Sequence, residues 1–206
     1  MLKLKGTLGI EDFYKIIFEN NPIEIDNTVF KTIEDSFNFL KTFSENKTIY
    51  GVNTGFGPMA QYKIANSDRI QLQHNLIRSH ASGTGNVIHP KYVKAAMLAR
   101  LNTLSLGNSG VHRSVIELMS SLINKNIIPL MFEHGGVGAS GDLVQLAHVA
   151  LVLIGEGEVF YKNELTPTKE VFKKENLQSI TVSLREGLAL MNGTSVMTGI
   201  GIVNTI

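Results

Sequence analysis

Apolar residues recur at helical spacing through most of the chain. Phe13, Ile16 and Ile17 fall on one face of a short first helix, and Val29, Ile33, Phe37, Leu40 and Phe43 on one face of a second. Asn20-Asn21-Pro22 breaks the chain between them. Ser67 or Asp68 is placed to cap a third helix through about Ser79, and Pro90 to open a fourth through Leu104. The stretch Val111 to Ile123 continues the pattern before Pro129. After Gly141, Asp142 to Ile154 reads as a further apolar helix. Glu158 to Leu165 alternates around a polar Lys162-Asn163 centre, the pattern of a small surface hairpin. A last helix starts near Thr194 and runs to Ile206 with no glycine or proline stop and no polar tail. Its apolar positions are expected to need cover from a missing part of the fold or from a partner. The pattern predicts a mainly α fold with a small β-hairpin, and contains no repeat, low-complexity stretch or linker.

Composition narrows the function classes. At 206 residues the chain has room for one large domain or two small ones. A formal charge of +1 with no run of Lys or Arg gives no footprint for a phosphate backbone, which argues against nucleic acid as a partner. The absence of cysteine excludes a disulfide framework, a thiolate zinc site and a cysteine nucleophile, and fits a reducing compartment. Met1-Leu2-Lys3-Leu4-Lys5-Gly6 is not an apolar leader, and no window is long enough for a membrane span. The expectation is a cytoplasmic protein with no membrane partner. His74, His89, His112, His134 and His148 show no metal-ligand spacing and read as surface or core residues, so no metal is expected.

Two stretches concentrate glycine outside any periodic pattern. Tyr50-Gly51-Val52-Asn53-Thr54-Gly55-Phe56-Gly57 lets the backbone approach a ligand and leaves the Tyr50 hydroxyl on an irregular segment; read blandly, it is a tight loop with a packing tyrosine. The second is Gly135-Gly136-Val137-Gly138-Ala139-Ser140-Gly141-Asp142. Gly136, Gly138 and Gly141 spell G-x-G-x-x-G after a possible strand, Ile127 to Phe132, and Glu156 or Glu158 lies near the spacing of a ribose-binding acid. Pro129 interrupts that strand and no second βαβ unit follows, so no nucleotide is expected.

The same loop supports another chemistry. In Ala139-Ser140-Gly141 the Gly141 amide nitrogen can attack the Ala139 carbonyl carbon, since glycine has no Cβ to obstruct it. Loss of water closes an imidazolone, and loss of the Ser140 hydroxyl leaves a methylidene conjugated to it. The N-terminus of the following helix would strengthen such an electron sink.

Ala139-Ser140-Gly141-Asp142-Leu143, the Tyr50 to Gly57 loop, Ser79-His80-Ala81-Ser82-Gly83 and Leu190-Met191-Asn192-Gly193-Thr194 together resemble the aromatic amino acid ammonia-lyases, from about Ile10 onward. The wording is most similar to bacterial histidine or tyrosine ammonia-lyases. The resemblance implies the helical N-terminal region of a fumarase/aspartase-like fold and elimination of ammonia from an aromatic L-amino acid. It implies that Ala139, Ser140 and Gly141 form a 4-methylidene-imidazol-5-one group, with Asp142 assisting. It makes Tyr50 the base for the substrate β-proton and sets Asn192 beside the prosthetic group. Ser79 and His80 take the side-chain selectivity position and Gly57 the pocket wall. Taken without the family, Asn192 is a turn residue and Thr194 a helix cap.

Two departures accompany the resemblance. Val144-Gln145 stands where many members have a small residue and then proline, so Gln145 is a polar oddity near the prosthetic group. Members are also more than twice as long. Residues 1–206 are therefore expected to be the N-terminal domain of a homotetramer whose helical-bundle half lies outside this chain, and to be inactive alone. An aminomutase sharing the prosthetic group, or a non-catalytic truncated paralogue, are the alternatives.

Overall fold

The computed structural model describes residues 1–206. In chain order it contains β1 (Leu2–Leu4), α1 (Ile10–Ile17), β2 (Ile23–Ile25), α2 (Asn27–Phe43), α3 (Arg69–His80), β3 (Thr84–Val87), α4 (Pro90–Ser105) and α5 (Arg113–Asn124). There follow β4 (Ile128–Pro129), β5 (Phe132–His134), α6 (Leu143–Leu153), β6 (Glu158–Tyr161), β7 (Glu164–Pro167), α7 (Thr168–Glu175), α8 (Glu186–Met191) and α9 (Ser195–Thr205). The chain is mainly helical, and every helix expected from periodicity is present within a few residues of its expected bounds. No helix is long and apolar enough to cross a membrane.

Helix α4 occupies the centre. Val93, Ala95, Ala96, Met97, Leu98, Leu101 and Leu104 are buried on several sides of it, because neighbouring helices surround it rather than flank one stripe. Two cations, Lys94 and Arg100, are buried on the same helix. Helices α3, α6 and α8 pack against one another, α1, α2 and α5 pack on α4, and α9 lies along α4. That last packing depends on a missing side chain: a Cβ on Gly199 would stand 2.5 Å from the Ala96 backbone nitrogen. The outer face of α9 stays open, with Met197 64% exposed, which is the uncovered apolar surface expected of the last helix.

The β structure is slight. The expected hairpin is β6 and β7, paired from Glu158↔Pro167 to Tyr161↔Glu164, and its turn residues Lys162 (φ 52°) and Asn163 (φ 68°) are both left-handed, as a two-residue primed turn requires. β4 adds to its edge. The strand expected over Ile127 to Phe132 is divided: β4 joins the hairpin sheet, while β5 pairs antiparallel with β3. The glycine loop therefore does not follow a parallel strand, and the dinucleotide-fold context is absent. Glu156, considered for a ribose contact, instead accepts both arms of Arg78 at 2.7 and 3.0 Å.

Gly199→Val should push α9 away from α4 and cost about 1–3 kcal/mol or more of stability, read by chemical denaturation. Gly201→Ala on the same helix has open space around its Cβ and should be neutral or stabilising by up to about 1 kcal/mol.

Candidate active site

The Ala139-Ser140-Gly141 loop is fastened at its C-terminal end. Gly141 is left-handed at φ 82° and forms a parallel bridge with Gly193; any Cβ on Gly141 would collide with the Gly193 carbonyl oxygen. The Asp142 amide donates to that carbonyl at 2.7 Å. The Asp142 carboxylate then accepts from the amides of Val196 at 2.8 Å and Met197 at 3.0 Å, capping α9 from another part of the chain. A carboxylate there also faces the positive end of the helix dipole. Thr194 occupies the N-cap position of α9 but its hydroxyl makes no capping bond, so the cap expected of it is supplied by Asp142. The Gly141 amide itself donates to no protein acceptor.

Beneath this junction lies Arg100. Its Nη2 donates to the carbonyls of Ala189 and Asn192, the latter at 2.8 Å, and its Nη1 lies where a side chain on Gly193 would stand. Burial pushes the Arg100 guanidinium down to about 10, and the Asp142 charge opposes the shift, so it stays charged at neutral pH. The arginine thus holds the carboxyl end of α8 while Asp142 holds the amino end of α9, and Asn192-Gly193 is the turn between them.

The tyrosine loop is fastened by a different residue. Tyr50 Oη accepts from the Gly57 amide at 3.2 Å, and its ring meets the Phe56 ring edge-on at 5.8 Å. Gly51 is left-handed (φ 73°) and packs against Phe56 and Leu188. Its carbonyl accepts from Gln73 Nε2 at 3.1 Å, while Gln73 Oε1 accepts from the Gly187 amide at 3.0 Å. Gln73 is fully buried, so one carboxamide on α3 ties the Tyr50 loop to the helix that carries Asn192.

At the end of α3, His80 Nδ1 lies 2.9 Å from the Leu76 carbonyl and 3.1 Å from Ser79 Oγ. A carbonyl can only accept, so in the neutral ring the proton is on Nδ1 and Nε2 is left as an acceptor. The loop that follows is held by His148, whose Nε2 accepts from the Gly83 amide at 3.2 Å beside the edge of Phe132. Burial pushes the His148 imidazole below its usual range, which favours the neutral acceptor. Gln145 is also structural: its Nε2 donates to the Glu133 carbonyl at 3.2 Å and its Oε1 lies under Gly136, supporting the glycine loop from below.

Of the residues singled out in the sequence, Gly141, Asp142 and the Asn192-Gly193 turn are joined directly, Tyr50 is joined to Gly57, and Ser79 to His80. Tyr50, Gly57, Ser79, Ala139, Ser140 and Asn192 remain exposed, so this chain presents them on its surface and does not enclose them. Arg100 and Gln73 are not singled out in the sequence, and His148 only as a surface or core histidine, which it is. Each sits on an apolar helix face where a long polar side chain needs a partner, and that mismatch was the available signal. Among the histidines, His89 and His112 accept from the amides opening α4 and α5, and no three potential metal ligands gather anywhere.

The family model described as aromatic amino acid lyase matches residues 8–206. The chain is 40% identical over 202 residues to the probable histidine ammonia-lyase of Thermoplasma acidophilum, covering 97% of this chain and 41% of that protein. It is 42% identical over 205 residues to the histidine ammonia-lyase of Shouchella clausii, covering 98% and 41%. Among solved structures, the tyrosine aminomutase of Streptomyces globisporus superposes with a TM-score of 0.92 at 34% identity, over 98% of this chain and 38% of that one. The histidine ammonia-lyase of Trypanosoma cruzi gives 0.87 at 29% identity, over 98% and 39%. The chain spans about two-fifths of the length of the relatives it matches.

Gln73→Ala should leave the Gly51 carbonyl and Gly187 amide unpaired and cost on the order of 2 kcal/mol, with faster hydrogen exchange at Gly187 before global unfolding. His148 has a lowered folded-state pKa, so the unfolded chain takes up a proton first as pH falls. Stability present above the ordinary value of 6.5 should be lost progressively below it, and His148→Gln should flatten that loss in denaturation curves recorded across the range.

Proposed function

The chain belongs to the aromatic amino acid lyase family, and from that premise we propose that it carries the N-terminal part of the catalytic site of an ammonia-lyase acting on an aromatic L-amino acid. The observation that carries this reading is the junction of Gly141-Asp142 with Asn192-Gly193. It brings the Ala139-Ser140-Gly141 loop to the turn bearing Asn192, with a carboxylate and a buried guanidinium holding the two together.

The triplet fits the methylidene-imidazolone group expected of it. Gly141 has no room for a side chain, and its amide nitrogen is free of any protein acceptor, as a nucleophile toward the Ala139 carbonyl must be. Once formed, the group supplies an electrophile that makes the amino group a better leaving group. The chain's own residues do the rest. Tyr50, as the phenolate, takes the β-proton and becomes the neutral phenol; the Gly57 amide orients its oxygen and donates to the phenolate before the transfer. Asn192 offers its carboxamide to the bound substrate from the turn that Arg100 fixes. His80, its Nε2 left as an acceptor by the Nδ1 contact to Leu76, contacts the substrate side chain, and Gly57 leaves space beside that side chain.

We take histidine, yielding urocanate, as the first substrate to test; the relatives named above as histidine ammonia-lyases and the Ser79-His80 pair support it. Tyrosine, yielding coumarate, is second. The likeness to a tyrosine aminomutase favours a further reading in which ammonia is returned at the β-carbon. Residues 1–206 are in this view the N-terminal domain of a cytoplasmic homotetramer, with the remaining helical bundle and neighbouring subunits completing the pocket.

Intact mass followed by digestion should show a deficit of two waters confined to the peptide containing Ala139 to Gly141, absent in Ser140→Ala; an unmodified peptide in active protein would sink the prosthetic-group reading. Assayed in the complete protein, Tyr50→Phe should lower kcat by about 10²–10⁴ with histidine. Appearance of urocanate supports the lyase, whereas a β-amino acid product identifies a mutase.

A further inference from the structure

A second concave site lies away from these residues. Where the ends of α1 and α5, the start of α4 and the β6–β7 turn meet, there is an open cavity of about 620 Å³. Such a volume is in the range of small-molecule sites. Lys91, Lys94, Lys125 and Lys162 all line it, and no aspartate or glutamate does. These lysines are scattered in sequence, so nothing in the charge pattern announces them.

Lys94 is the built part of the site. It is only 5% exposed, and its Nζ donates to two neutral acceptors, Asn20 Oδ1 at 3.0 Å and Asn126 Oδ1 at 2.5 Å. Both asparagines are left-handed residues following helices, at φ 54° and 50°, and their Nδ2 groups donate to nothing in the protein. The partial negative charge at the carboxyl ends of α1 and α5 helps to keep this ammonium in place. No carboxylate pairs with it, and burial pushes it down to about 8. A buried cation without a counter-charge is costly, and an anion in the cavity would relieve that cost.

The surrounding cations leave the same opening. Lys125 is paired with Glu175 at 2.6 Å, and Glu175 also accepts from Tyr161 Oη, so this one carboxylate is already shared. Lys91 has the face of Phe18, 4.9 Å from its Nζ; Lys162 lies 5.1 Å from the ring of Tyr161 and feels the Tyr161 hydroxyl and, beyond it, the already shared Glu175 carboxylate. Neither forms a salt bridge. The primed turn fixes the backbone that presents Lys162. Half-buried Phe18 and Phe160 supply an apolar wall beside the ammonium groups.

We infer that this cavity binds a phosphorylated small molecule, its phosphate among Lys91, Lys94 and Lys162 and its organic part against Phe18 and Phe160. A phosphate dianion matches several point-charge donors better than a single carboxylate does, and the aromatic wall selects against the bare ion. The site is independent of the proposed catalytic reading.

The test is calorimetric titration of the intact protein with phenyl phosphate and, separately, inorganic phosphate at constant ionic strength. Phenyl phosphate should bind saturably and more tightly than inorganic phosphate, and Lys91→Gln with Lys162→Gln should weaken it by about tenfold or more. Both substitutions are on exposed side chains of the rim, so the fold should survive them, which the unfolding temperature checks; Lys94→Met, which removes a buried group, is read beside them. Absence of saturable binding, equal affinity for the two probes, or affinity unchanged in the double variant would each overturn the assignment.

Discussion

The arrangement depends on one backbone junction. Gly141 approaches Gly193 too closely to carry a side chain, Arg100 fills the space a side chain on Gly193 would take, and the approach is held by charge from both sides: the Asp142 carboxylate caps α9, and the Arg100 guanidinium gathers the carbonyls at the end of α8. Each group satisfies helix-terminal backbone that would otherwise be left without partners. Because α9 is packed on α4 through Gly199, and Arg100 belongs to α4, the loop position is referred to the centre of the core. A loop of small residues, three of them left-handed glycines, has little rigidity of its own and takes its place from this anchor.

The other functional candidates are held by the same device. Gln73 spends both ends of its carboxamide on backbone groups of two segments remote in sequence, and His148 spends its ring nitrogen on Gly83. In each case a long polar side chain on a buried helix face reaches out to the backbone of a glycine. Glycine is needed because the partner comes close: the carboxamide of Gln73 and the ring of His148 fill the space that a Cβ on Gly187 or Gly83 would take. The helices α3, α4 and α6 therefore act as frames, and the chemistry-bearing loops are hung from them.

Helix α4 carries two buried cations, Lys94 and Arg100, and they show how context decides a charge's use. Arg100 has carbonyls and the nearby Asp142 carboxylate, and is absorbed by structure. Lys94 has only two neutral carboxamides, and its neighbours across the cavity are more lysines. Net charge near zero conceals this local excess, since acidic residues elsewhere balance the count without standing in the cavity.

Much of this was legible in the chain. Period-3.6 apolar faces gave α1, α2 and α5, since burial of a stripe leaves a repeat over many residues; capping and proline signals marked α3 and α4, apolar runs marked α6 and α9, and the Lys162-Asn163 centre located the hairpin. Strands β1, β2 and β3, of three or four residues with one or none buried, and α8, of six residues, are too short to establish a period, and α7 buries only two adjacent apolar residues, Val171 and Phe172. The chemistry-bearing motifs were readable as residue types in order, and the family resemblance rested on them. What the sequence could not hold is which distant residues meet. That Asp142 rather than Thr194 caps α9, that Gln73 joins the Tyr50 loop to α8, and that four lysines share one cavity follow from helix packing, because close approach across the core depends on three-dimensional distance, and spacing along the chain records only local geometry.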